Sequence, residues 1–189
     1  MNSFENAVQA ALAATQQGRL DDAERELHRA AEIEPASPIP YYLLAANLAE
    51  VKRNDEAEAS FIACLSRAPD FAMARFQLGL LQLTNGRAAS ARATWERLLQ
   101  LGEDSYLKHF VQGFEAILSG DRAAAEHAIH AGLALNNDNP TLSKDMHGVL
   151  QRMAALGADE STLALSSVVD SVASVPADDH VLIAAYRQS

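Results

Sequence analysis

Few residues in this 189-residue chain have the type and spacing to do chemistry. His127 and His130 stand three apart, a separation that sets two imidazoles on one helical face where they could share a metal. No Cys or carboxylate stands nearby at a spacing that would supply a third ligand, so the pair reads as a solvated face. Cys64 is the single cysteine, which excludes an internal disulfide. It falls where small residues recur along the chain, and an inert core thiol fits that place better than a nucleophile. His109 beside Phe110 reads as structural. Arg87, Arg92 and Arg97, with Glu96 among them, read as a solvated helix face. There is no Gly-rich phosphate loop ending in Lys-Ser or Lys-Thr and no Gly-x-Ser-x-Gly elbow. The expectation is a protein that is not an enzyme and holds neither metal nor cofactor.

Composition narrows the partners. Hydrophobic residues make up 49% of the chain and aromatic residues 6%, which suits closely packed helices. The net charge of −10 is spread rather than blocked, and it disfavours nucleic acid and anionic membrane surfaces, which require clustered Lys and Arg. The N-terminal MNSFENAVQAALAA has no basic leader and is interrupted by Glu5, Asn6 and Gln9, unlike a signal peptide. No apolar run approaches the ~20 residues of a membrane span. These features predict a cytoplasmic chain with no membrane insertion.

The elements that position these residues recur every 34 residues. Ala23, Ala57, Ala91 and Ala125 stand one period apart, as do Leu27, Phe61, Trp95 and Ile129. Gly18, Lys52, Gly86 and Gly120 follow the same step, and so do Ala11, Ala45, Gly79 and Gly113. Four units result, 4–37, 38–71, 72–105 and 106–139, with no insertion or deletion between them. Each reads as two amphipathic helices joined at the Gly or Lys position. In the first, a helix from Ser3 to Gln17 is stopped by Gly18, and a second begins at Asp21 or Asp22 and ends before Pro35. In the second unit the helices are Tyr41 to Val51 and Asp55 to Ala68, the latter ended by Pro69. A fixed period of this length built from two helices is the signature of a stacked helical repeat.

These positions resemble the tetratricopeptide repeat family. The small residue eight places into each unit matches its pattern. So does the alanine twenty places in followed by a large apolar residue four later, as do the closing Pro35 and Pro69. The family's aromatic four places in is Tyr41 in one unit only, and its small residue twenty-seven places in is Ala30, Cys64 and Gly132 but Leu98 in the third. The resemblance covers residues 4–139. It implies an all-α solenoid, a right-handed superhelix of antiparallel helix pairs whose first helices line a concave groove.

Residues 140–157 read as a further helix that caps the open end of the stack. Asn139 is its N-cap, Pro140 opens it and Gly157 ends it, with an apolar stripe of Leu142, Met146, Val149, Leu150 and Met153. His147 stands where a repeat wants a small residue. The tail 158–189 is richer in Ser and Val. It carries one expected helix near 160–174, with Leu165, Val168, Val169 and Val172 on one face, and a second near 179–187.

On the family's geometry, the groove is lined by residues two, five, nine and twelve places into each unit. These are Glu5, Val8, Leu12 and Thr15; Ile39, Tyr42, Ala46 and Ala49; Met73, Phe76, Leu80 and Leu83; and Leu107, Phe110, Phe114 and Ile117. Fourteen of the sixteen are apolar. Their spacing puts them on one helical stripe independently of the resemblance. An apolar groove of this kind is a surface that something must cover. The expected function is non-catalytic protein binding, with an amphipathic helix or apolar peptide docked in the groove. The chain's own tail is one candidate occupant. A small chaperone similar to those of type III secretion is one alternative. Another is a structural oligomerisation module, a homodimer in which the tail of one chain enters the groove of the next. A carboxylate clamp is not expected, because Val8, Tyr42, Phe76 and Phe110 stand where such domains need lysine, and Leu12, Ala46, Leu80 and Phe114 where they need asparagine.

Overall fold

The computed structural model describes residues 3–155. Among them run nine α-helices and no strand: α1 Ser3–Gln16, α2 Leu20–Ile33, α3 Ile39–Glu50, α4 Asn54–Arg67, α5 Ala72–Thr84, α6 Ala88–Trp95, α7 Tyr106–Ser119, α8 Arg122–Leu135 and α9 Pro140–Ala155. A short 3-10 turn, Leu98–Gln100, follows α6. The helices expected in the 158–189 tail lie outside the described residues. The chain divides into two compact units, one through residue 74 and one from residue 75 onward, so that α5 begins in the first and continues in the second. In the first unit α1 packs on α2, α3 on α4, and α2 also meets α3. In the second unit α7 packs on α8, α9 lies against α8, and α6 with its 3-10 turn meets α7.

The 34-residue period is written into the backbone. Gly18, Lys52, Gly86 and Gly120 all adopt positive φ, at 70°, 63°, 74° and 77°. Each ends the first helix of its pair in the same way. Its own N–H reaches the carbonyl three residues back, and the next N–H reaches the carbonyl five back: Arg19 to Ala14, Arg53 to Leu48, Arg87 to Gln82 and Asp121 to Ala116, at 2.8–2.9 Å. This closure satisfies the orphan carbonyls of the helix end, and it requires a left-handed residue at the turn. Glycine supplies that conformation without steric cost. Lys52 holds it with a Cβ and is the only non-glycine residue to do so among those described.

The two helices of a pair are held by a small residue set against a large one. At Gly79 an added Cβ would fall inside the Trp95 indole, and at Gly113 it would come 2.6 Å from Ile129 Cγ1. The equivalent places in the first two pairs are Ala11 against Leu27 and Ala45 against Phe61, all buried to within 1%. Glycine stands opposite the tryptophan, and also opposite Ile129. The buried indole N–H donates to the Phe76 carbonyl at 3.0 Å, so Trp95 is satisfied as well as enclosed.

The two ends of the described chain are finished differently from its middle. Asn6, Gln9 and Ala13 on α1 are exposed, whereas Pro40, Leu43 and Asn47, one period later, are buried. This polar outer face suits a terminal helix. At the other end Asn139 Oδ1 accepts from the Leu142 N–H at 2.9 Å, the cap the sequence predicts. Buried Asn136 ties the α8–α9 junction by donating to the Asn139 carbonyl and to Ser143 Oγ, at 2.8 and 3.0 Å. Leu142, Met146, Val149 and Met153 are the buried face of α9, and Leu150 is half-buried. His147 is exposed.

Three outcomes test this account. Gly79→Ala gains helix propensity of about 1 kcal/mol but drives a methyl into a fully enclosed indole, and net destabilisation of about 1–3 kcal/mol is expected in urea denaturation. Adding Trp95→Phe recreates the Ala–Phe pair of residues 45 and 61 and recovers much of the loss, a non-additivity that a double-mutant cycle reads directly. Lys52→Gly relieves the left-handed lysine and raises stability by roughly 0.5–1 kcal/mol. The third outcome concerns half-buried Asp145, whose carboxyl burial pushes up to about 6, against the opposing pull of Lys144 and Arg152. A carboxyl whose folded pKa is raised favours the fold when protonated, so its contribution declines as pH rises from about 4 through about 6. Asp145→Asn is therefore expected to exceed the parent in stability at pH 7 by on the order of 1 kcal/mol, with the gap closing below about pH 4.

Candidate functional site

The residues that could do chemistry stay apart. His127 and His130 on α8 are both exposed, and no group of three or more His, Cys, Asp or Glu that could hold a metal occurs among the described residues. Cys64 is wholly buried in α4, and burial pushes its thiol up to about 12, far from a thiolate at neutral pH. His109 Nε2 lies 2.9 Å from the Glu103 carbonyl at the head of α7. Arg92 is exposed, as a solvated face requires, and it also finds a partner. Its Nε donates to Glu115 at 2.8 Å and ties α6 to α7. Both partners are substantially exposed, so the pair fixes orientation more than it adds stability.

The expected groove stripe is apolar and enclosed. Val8, Leu12, Ile39, Tyr42 and Met73 in the first unit are each no more than 8% exposed, and so are Phe76, Leu80, Leu83, Leu107, Phe110 and Phe114 in the second. Ile117 alone of this set is half-buried. What encloses the aromatic members is plain. Phe76 lies 6.2 Å from Trp95, 6.3 Å from Phe110 and 6.2 Å from Phe114, and Trp95 stacks on Phe114 at 5.7 Å. These four rings form the centre of the second unit and hold its helices together. As seated, the phenylalanines present no face to a partner. In the first unit Tyr42 sits edge-on to Phe61 and stacks on Phe71 at 4.9 Å.

One polar contact on the stripe escapes sequence reasoning. Asn47 Nδ2 donates to Thr15 Oγ1 at 3.0 Å, joining α1 to α3 inside an apolar layer. The signal for it is a lone asparagine in the otherwise apolar helix IPYYLLAANLAE. Being 6% exposed, Asn47 needs that partner.

Open hollows in the first unit lie off the predicted stripe. A crevice of about 230 Å³ runs between α2 and α4 over the start of α3, lined by Leu27, Ala31, Pro40, Tyr41, Leu44 and Ala63 among others. Small residues at 31 and 63 make its room. The Arg67 guanidinium lies 3.7 Å over the Tyr41 ring at its edge and also donates to the Pro35 carbonyl. A second hollow, of about 260 Å³, is lined by Leu20, Leu44, Leu48 and Val51 together with Asp21, Glu24, Asn47 and Arg53. At the second, Arg53 donates to Glu24 at 2.7 Å.

No family model matches the chain, and no curated protein matches it. Among solved structures the chain is similar to one described as "MamA RS-1 ArsTM double mutant", with a TM-score of 0.60 and 15% sequence identity over 100% of this chain and 99% of that one. At that identity the likeness concerns the fold: an all-helical chain of pairwise-packed helices.

Proposed function

We propose that this chain is a non-catalytic protein-interaction scaffold of tetratricopeptide type, whose first-helix stripe takes an amphipathic helix or an extended apolar peptide. The observation that carries the reading is α3, which buries ten of its twelve residues, including Ile39, Ala46 and Ala49 of the stripe. A helix in a two-layer repeat ordinarily keeps one solvated flank, and a helix apolar around its circumference must be enclosed on every side. The same stripe positions are apolar in α5 and α7. Most of this stripe is already enclosed, so a segment with apolar residues at i, i+3, i+4 and i+7 would enter where the stripe is least covered, at half-buried Ile117. Four such side chains, at roughly 1.5–3 kcal/mol each, would outweigh association and ordering costs of ordinary size. Among the described residues the one thiol is buried and no three metal-ligating groups come together, which supports a role without catalysis.

The test uses the chain's own residues 160–175 as a labelled peptide, because Leu165, Val168, Val169 and Val172 stand at the sequence spacing expected of such a segment. It is added to the full chain and to a form ending at residue 157, which retains all nine described helices. The reading expects micromolar binding to the shortened form, weakened about tenfold or more by Ile117→Glu at the one half-buried stripe position, with an unchanged thermal midpoint. Absence of binding by the shortened form, or equal binding by the Ile117→Glu variant, would overturn it. Concentration-dependent mass of the full chain, lost on shortening, would assign the peptide to a second copy of the chain.

A further inference from the structure

The second helices of three pairs each span 14 residues, Leu20–Ile33, Asn54–Arg67 and Arg122–Leu135. The third stops after eight, at Trp95, and a 3-10 turn follows at Leu98–Gln100. The cause lies at the position twenty-seven places into each unit. There α8 carries Gly132, where an added Cβ would meet the Phe110 ring at 2.5 Å. Ala30 and Cys64 occupy the place in α2 and α4, both wholly buried. The third unit has Leu98 there, and the residue matching Phe110 is Phe76, itself wholly enclosed among Trp95, Phe110 and Phe114. A straight helix would thrust the leucine side chain into the ring. The helix breaks instead, and Leu98 is buried in a different seat, 2% exposed.

The broken stretch is then pinned from α7. Lys108, its side chain 13% exposed, donates to the Leu101 carbonyl at 3.0 Å and to Glu103 at 2.6 Å. His109 Nε2 bonds the Glu103 carbonyl at 2.9 Å. Within the stretch itself the backbone bonds are few: Gln100 to Arg97, Leu101 to Leu98 and Ser105 to Gly102, at 3.1–3.3 Å. Segments with sparse backbone bonding open ahead of the rest of a fold.

We propose that residues 96–105 are a hinge built into the second unit, created by the misfit of Leu98 with Phe76 and latched shut by Lys108. Its closed state is the bent one described above. Its open state frees the 3-10 turn while α7 and α8 stay packed. Because Phe76 belongs both to the predicted stripe and to the ring cluster behind the break, opening loosens one side of the stripe.

Amide hydrogen exchange on the full chain, resolved by residue, tests this with two variants. Lys108→Met keeps the apolar stem and removes the latch, so exchange in 96–105 is expected to quicken about tenfold or more, with α8 amides unchanged. Leu98→Ala restores the small residue of the other units, and the amides of 96–101 are expected to slow about tenfold as the helix runs on to residue 101. Unchanged exchange in 96–105 of Lys108→Met, or quickening shared equally by α8, would overturn the hinge. Unchanged protection of 96–101 in a folded Leu98→Ala would overturn the misfit as its cause. Should that variant fail to fold, Lys108→Met decides alone.

Discussion

A small residue on one helix admitting a large residue from the next is the constraint on which this structure depends. Gly79 has no side chain because the Trp95 indole stands in its place, and Gly113 none because Ile129 does. The close approach this allows puts ring against ring across the second unit and buries Trp95, Phe76, Phe110 and Phe114 completely. Interiors packed at crystal-like density tolerate neither a surplus methyl nor a void. Each of the four pairs sets a small residue against a large one: Ala with Leu, Ala with Phe, Gly with Trp, Gly with Ile.

A second slot obeys the same rule and in one unit breaks it. Gly132 yields to Phe110, and Ala30 and Cys64 stand in the equivalent places, but Leu98 is too large for the space beside Phe76. The chain resolves the conflict in its backbone rather than in its core, ending α6 six residues before the periodic boundary and bending through a 3-10 turn. Local conflict of this kind is where an otherwise consistent repeat departs from its template.

These packing demands also govern what the molecule can do. First helices apolar on nearly every side are built to be enclosed, and they leave little room for converging polar groups. Among the described residues His28, His127, His130 and His147 are exposed, the thiol lies in a packing slot, and the charged pairs lie at the rims. The mutually satisfied Thr15 and Asn47 are a polar tie inside the stripe rather than a reactive centre.

Much of the fold was legible in the chain. The period, the four turns at 18, 52, 86 and 120, the helix ends near Pro35 and Pro69 and the Asn139 cap are set by local backbone preference and by hydrophobic spacing, both of which act within a few residues. The apolar stripe was legible for the same reason. What only tertiary structure decided was how far each side chain is enclosed and by what. Phe76, Phe110 and Phe114 share their helical face with Leu80 and Ile117, and spacing could not reveal that the rings would close on Trp95. Arg92 reaching Glu115, Asn47 reaching Thr15 and the early end of α6 are likewise contacts between residues distant in sequence. Periodicity fixes which side of a helix is apolar; the volumes of the neighbours that arrive there determine whether that side becomes core, groove or hinge.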